Sequence, residues 1–403
     1  MSQNEMIKQI NNLVHIAEHI ADAGDNRHVH NEYSLSGLKD IKFTGEQKLK
    51  IYQDTLEKIF NSDKEIAESC TIKSFDNELI QLVKRLKNLN QKCAAVDIKN
   101  LLNKFYNLNL QECEILYEFH GVIMGQDSIK FGDFTVYNYA KSIDKLITKC
   151  SLLGKMEHHF NTEYIVGIKV KARERDKAIE IADALCSTFE NVFNYTIGDL
   201  SHRNEVGIFN FAAWRSRNRA ICGNNWGGLS TTNNILKKVN IGDPFFKDKS
   251  EGHDRIWALI TKEGKTTVEN RIINSIEWIG KGVSETDPTK AIVQFVFAIE
   301  GMLEYNGGKF LTPSLVSRLS DWMAFIIHDE LEGRKKIAKF FSDTYSRRSA
   351  IAHGANKKID LDHLGIAKQL AKLLIRTFLV TKPFNEMSKI EELSDYIEEL
   401  KFK

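Results

Sequence analysis

Between Tyr345 and Gly354 the chain reads Tyr-Ser-Arg-Arg-Ser-Ala-Ile-Ala-His-Gly, and two of these residues have the chemistry to act on a phosphate. Histidine titrates near neutral pH, so His353 can take or give a proton under ordinary conditions. The guanidinium of Arg348 is a planar fork of donors that fits phosphate oxygens. Ser349 offers a hydroxyl to a phosphate or to the arginine beside it. Tyr345, one helical turn before Arg348, offers a ring for packing or for stacking on a base. Arg347 and the pair Lys357-Lys358 add positive charge that attracts a polyanion backbone whatever its sequence. Residues five apart on a helix differ by about 140° in direction. Arg348 and His353 therefore need not share a face, although an arginine is long enough to reach round.

A helical bundle is expected to carry these residues. Thr267 to Ile279 opens with Thr-Val-Glu-Asn and holds isoleucines at 272, 273, 276 and 279. The phrase Ser284-Glu-Thr-Asp-Pro288 breaks the chain and supplies a cap for the next helix. That helix, about 289–305, is strongly apolar, with Glu300 conspicuous within it. After Gly307-Gly308 come expected helices near 313–328, 331–346 and 360–380. Five helices with short connections make a compact bundle.

Upstream the pattern changes twice. Residues 1–112 read as helical: Ile7, Ile10, Leu13, Val14, Ala17, Ile20 and Ala21 form one stripe, and further helices are expected at about 45–61, 77–90 and 95–106. Asp25 to Lys42 reads as a polar loop. From Cys113, β-formers dominate Glu114–Met124 and Ile129–Tyr137, and Tyr164–Ala172 alternates as a half-buried strand does. A helix over Asp176–Tyr195 and a strand candidate over Val206–Ile221 complete a small α+β domain. The expected division is thus 1–112 helical, 113–250 α+β with a sensor or regulatory role, 251–385 bundle and 386–403 acidic tail. The fold class is mainly α with an α+β middle domain.

Composition narrows the partners. The chain has 403 residues, 56 Lys and Arg against 54 Asp and Glu, and a net charge of +2. Any nucleic-acid footprint must therefore be local. Lys339 to Lys382 holds nine Lys/Arg against three Asp, whereas Pro383 to Lys403 holds six acids against three lysines. The segment around Arg348 is thus basic in a nearly neutral chain. Six scattered cysteines without a Cys-x-x-Cys pair fit reduced thiols. Neither a signal peptide nor a run of ~20 apolar residues is present, and a soluble, cytoplasmic protein without a membrane partner is expected.

The C-terminal third resembles the Apea-like branch of the HEPN domain family. Ile276-Glu-Trp-Ile-Gly is similar to that family's opening helix. Ala291-Ile-Val-Gln-Phe-Val-Phe-Ala-Ile-Glu-Gly-Met-Leu is similar to its apolar second helix with an embedded glutamate. Tyr345-x-x-Arg348-Ser-x-x-x-His353-Gly fits its Arg-x(4–6)-His motif with four intervening residues. The region 113–250 resembles, less specifically, the β-rich segment often found ahead of this branch; residues 1–112 match nothing.

The resemblance implies a metal-independent endoribonuclease with no cofactor. A 2′-hydroxyl of the RNA attacks the adjacent phosphate and leaves a 2′,3′-cyclic phosphate, with Arg348 and His353 catalytic and Glu300 orienting Arg348. It implies a homodimer through the bundle, because HEPN domains pair two Arg/His sets in one cleft and this chain has a single motif. It also implies a toxin-like effector of antiphage defence acting by abortive infection. The first 250 residues would then sense a trigger or restrain the nuclease, with a phage-derived trigger or a regulatory protein as partner. A nonenzymatic HEPN dimerisation and binding module, partnering another defence protein or an antitoxin, is the alternative.

Two other clusters invite chemistry. His15 and His19 stand four apart in an expected helix, with Asp22, His28 and His30 nearby, a spacing known from metal sites. The context lacks further ligands, and a solvated helix face is the plainer expectation. Trp214-Arg-Ser-Arg-Asn-Arg219 puts Arg215, Arg217 and Arg219 on one face of a strand, with Trp226 downstream. Such interleaving suits single-stranded nucleic acid, and an outer charged sheet face has the same pattern.

Overall fold

The stripe expected from Ile7 to Ala21 closes early. The computed structural model describes residues 1–19, 41–149, 160, 162–200, 206–209, 216–222, 227–233, 238–305, 315–354 and 358–402. In it the first helix, α1, spans Gln3–Ile16 and is capped by the Ser2 hydroxyl, which accepts from the Glu5 amide. At Ala17 the backbone turns extended, and Glu18–His19 (β1) pairs antiparallel with Ile41–Lys42 (β2). Ile20, Ala21 and most of the polar loop lie outside the described residues. Contacts divide the chain into two units, Met1–Ile115 with Lys169–Ala182, and Leu116–Ile168 with Asp183–Lys403.

In the first unit α1 is followed by α2 (Glu46–Asn61), α3 (Lys64–Ser69), α4 (Ile72–Asn88) and α5 (Ala95–Tyr106). Asp63 and Thr71 cap α3 and α4 by accepting from the amides of Ile66 and Ser74. The core gathers Ile10, Leu13, Tyr52, Ile59, Phe75 and Leu79, with the Phe75 ring 5.5 Å from Phe60 and 5.3 Å from Phe105. Arg173 and Glu174 belong to the same unit. Arg173 pairs with Glu65 and donates to the carbonyls of Tyr106 and Leu108. Glu174 accepts from the Thr71 amide and hydroxyl, both at 2.9 Å.

The middle region holds β3 (Gln111–Glu118), β4 (Val122–Ile123), β5 (Ser128–Phe131), β6 (Phe134–Asn138), α6 (Tyr139–Lys149), β7 (Tyr164–Ala172) and α7 (Arg175–Ile197). Four strands form one sheet in the order β3-β7-β6-β5. The single strand expected over 129–137 is a hairpin, because Gly132 takes a left-handed φ of 59° at its tip. Of the strand expected over Val206–Ile221, residues 210–215 lie outside the described residues, and β8 (Ser216–Cys222) pairs antiparallel with β9 (Gly227–Asn233). Val239–Asn240 (β10) runs parallel to β4.

Helices then dominate: α8 (His253–Thr261), α9 (Thr267–Ser284), α10 (Pro288–Leu303), α11 (Leu315–Ile327), α12 (Leu331–Ala352), α13 (Leu361–Val380) and α14 (Ile390–Lys401). A capping box between Thr266 and Glu269 starts α9, and Asp287 with Pro288 starts α10. The chain is mainly α with a small sheet. The acidic tail is itself largely helical, as α14 buries Leu393 and Ile397.

The expected boundary at 250 does not coincide with a division of contacts. Phe131, Phe189 and Phe193 meet Trp257 at ring distances of 4.9, 5.5 and 4.9 Å, so sheet, α7 and α8 share one aromatic core. Within the same unit α10 packs on α9 and α13, and α12 lies against α10, α11 and α13.

Two features of this unit are testable. A Cβ on Gly280 of α9 would come within 2.2 Å of the Asn191 carbonyl oxygen on α7. Gly280→Ala forces two backbones apart and is expected to cost about 1–3 kcal/mol, measured as a lowered urea midpoint; an unchanged midpoint refutes the close approach. Lys372 of α13 donates to the Tyr195 carbonyl at 2.9 Å beyond the middle of α7. Burial, reinforced by neighbouring Lys368, pushes its ammonium down to about 8 from the ordinary 10.5. The unfolded chain therefore holds this proton more tightly, and the burial cost is felt below pH 8 and fades as pH rises toward 10.5. Lys372→Met should gain stability relative to the native chain chiefly below pH 8; a difference flat with pH contradicts the burial argument.

Candidate active site

The site begins with a carboxylate in an apolar helix. α10 buries Ile292, Phe295, Val296, Ile299, Met302 and Leu303, and Glu300 stands among them with a side chain only 15% exposed. Its partner comes from α12. Arg348 Nη2 donates to Glu300 Oε2 at 3.3 Å. The guanidinium carbon lies 5.1 Å from the centre of the Phe297 ring and 5.6 Å from that of Tyr345. Trp278 of α9 meets Phe297 edge-on at 5.2 Å. Arg348 is thus a cation held between two rings, bonded at one end to a carboxylate, while its Nε is buried without a hydrogen-bond partner.

Electrostatics follow from this half-burial. Burial raises the Glu300 carboxyl above its ordinary range, and the Arg348 charge and the Tyr345 hydroxyl work the other way. The Tyr345 phenol is raised as well, by burial first and then by the Glu300 charge. Both shifts say that negative charge is costly here.

His353 stands apart from this cluster. α12 continues to Ala352 rather than stopping near 346, so Arg348 lies in its last turns and His353 at its C-cap. The His353 amide bonds the Ser349 carbonyl at 3.1 Å and the Gly354 amide the Ile351 carbonyl at 3.0 Å. Gly354, with φ 80°, ends the helix. The imidazole is exposed. Among the described residues Arg348 bonds Glu300 and not His353, as the divergence of directions along the helix predicts.

The remaining expected residues distribute as follows. Ser349 and Arg347 are half-buried on α12, and Lys358 is exposed between α12 and α13. Arg347 lies near enough to the α13 cap Asp360 to help hold that carboxyl low, behind the stronger effect of the His363 amide. Lys357 and Arg215 lie outside the described residues, as do Trp214, Trp226, Asp22, His28 and His30. Arg217 and Arg219 stand two apart on β8, opposite Thr232 and Ser230. The expected helical spacing of His15 and His19 is corrected: α1 ends at Ile16 and His19 is in β1. Among the described residues no three His, Cys, Asp or Glu side chains gather to hold a metal ion. Phe297 escaped notice from the sequence, where it is one apolar residue among many. Its position three before Glu300, on the same helical face, is the signal that singles it out.

Substitution at Glu300 separates charge from hydrogen bonding. Because its folded-state carboxyl is raised, the ionised form burdens the fold at neutral pH and the burden lifts in acid. Glu300→Gln should therefore match or exceed the native stability near pH 7 and lose that advantage as pH falls toward the ordinary carboxyl value of 4.5. Thermal unfolding against pH checks this, and a variant unstable at pH 7 but not in acid refutes it. No family model, curated protein or solved structure matches this chain.

Proposed function

We propose that the C-terminal helices form a HEPN-type bundle and that the protein is a metal-independent endoribonuclease. The observation that carries the proposal is Arg348, oriented by Glu300 and the rings of Phe297 and Tyr345, five residues before an exposed histidine at the end of the same helix. An arginine so held keeps part of its fork: Nη2 is engaged by Glu300 and Nε is buried, which leaves Nη1 for a phosphate.

In the proposed reaction an RNA 2′-hydroxyl attacks the neighbouring phosphorus while the 5′-oxygen leaves. The proton from the 2′-oxygen passes to a base, and the leaving oxygen takes a proton from an acid. An imidazole serves either step at neutral pH. Arg348 holds the extra negative charge on the phosphorane oxygens. Because Arg348 and His353 diverge on one helix, a complete site is proposed from two copies of the chain, an Arg/His set from each, in a homodimer through the bundle. The proposed setting is antiphage defence, the protein acting as a toxin-like effector.

Purified full-length protein incubated with RNA tests the chemistry. Cleavage leaving 2′,3′-cyclic ends is expected, and His353→Ala should slow it by roughly 10²–10⁴-fold, the usual range for a lost acid–base group. Arg348→Ala should do the same without changing the oligomeric state. If native protein and both variants leave RNA equally intact, in buffer and in extract of infected cells, and are equally harmless in cells, the nuclease proposal fails and a binding module remains.

A further inference from the structure

Most of the bundle's helices bury a broad face, whereas α12 buries only Phe341 and Thr344. Its outer side is unusual for a solvated helix. Lys336 and Lys339 are exposed, and one turn beyond Lys336 the Phe340 ring is 44% exposed. Among the described residues that ring makes no aromatic or cation contact of the kind that holds Phe297 and Tyr345. Lys336 and Lys339 have no ion pair there either, unlike Lys335, which bonds Glu332 at 2.8 Å.

At 100° per residue Lys336, Phe340 and Arg347 fall within about 40° of one another around the axis, with Lys339 flanking them. Four residues of helix rise about 6 Å and seven about 10 Å, so cation, ring and cation follow one another toward Arg348, with one exposed acid, Asp343, on that face between Phe340 and Arg347. α12 as a whole holds six Lys/Arg against two acids. A positive strip with an exposed ring suits a polyanion whose bases are unpaired: phosphates meet the cations and a base stacks on the ring. A duplex offers the charge and no free base face.

We infer that the outer strip of α12 is a track for single-stranded RNA, with a base on Phe340 and phosphates on Lys336, Lys339 and Arg347, leading to Arg348. The inference rests on the ribonuclease proposal and names its substrate class.

Fluorescence polarisation of full-length protein with a labelled oligouridine bearing 2′-O-methyl riboses reads binding alone, since that strand lacks the attacking hydroxyl. Phe340→Ala should weaken binding by roughly 5- to 100-fold, from the usual worth of one stacked base, and Phe340→Trp should keep it. The three cations should give a log–log salt slope of about −2, falling by about 1.4 units in Lys336→Gln/Lys339→Gln. Equal affinity for Phe340→Ala and native protein overturns the track. So does an affinity loss that sedimentation traces wholly to a changed oligomeric state, which makes the strip a protein interface. Phe340-dependent binding by a protein that never cuts unmodified RNA retains the track and removes the nuclease proposal. Arg348-dependent cleavage indifferent to Phe340 does the reverse.

Discussion

A carboxylate on a helix as apolar as α10 cannot stand without a cation, and the placement of Glu300 constrains much of the bundle around it. Burial raises its carboxyl, and the compensating charge comes from the second-last turn of α12. The pair fixes the register of α12 against α10, because a slip of one residue would replace Arg348 by Arg347 or Ser349 and point the guanidinium elsewhere. Phe297 and Tyr345 then close on the cation, and Trp278 closes on Phe297. Buried pairs of this kind contribute little net stability and much specificity of arrangement. Here the arrangement specified is an arginine with part of its donor fork uncommitted.

The far end of α12 differs from its neighbours. Across the described residues, cationic side chains reach the C-terminal carbonyls of other helices. Lys87 bonds the Val14 carbonyl on α1, Arg271 the Gly301 and Met302 carbonyls on α10, and Arg255 the Leu379 carbonyl on α13. Lys368 and Lys372 serve α7 likewise. Such donors offset the negative pole of a helix. Among the described residues α12 is closed by its own amides and Gly354, which leaves the imidazole of His353 exposed.

Local signals made parts of this legible in advance. Tyr164–Ala172 and Ala95–Tyr106 are a strand and a helix at the limits the patterns mark, and Asp287-Pro288 marks the start of α10 through capping chemistry alone. The length of α12 was not legible from apolar periodicity, since a helix burying two residues has almost none. Its end is set instead at Gly354, which takes a left-handed φ of 80°. Glu300 and Arg348 were each visible as residues out of keeping with their surroundings. Their meeting, and the part played by Phe297, depend on how two helices cross, which no local pattern carries. The same is true of the boundary near 250: Phe246 sits 5.3 Å from Phe193 and 6.4 Å from Phe131, and only the folded chain shows that a cut at 251 would open a core.

That shared core bears on how the proposed activity could be restrained. A bundle that were a separable domain could be unmasked by releasing whatever precedes it. Here the segment before the bundle supplies Phe131, Phe189 and Phe193 to Trp257, and α7 supplies the backbone against which Gly280 of α9 rests. Removal of that segment would strip apolar surface from α8 and α9 and cost far more than a surface contact. Control of Arg348 and His353 is therefore better sought at the exposed end of α12, where a small shift changes what the imidazole faces, than in the departure of a whole domain.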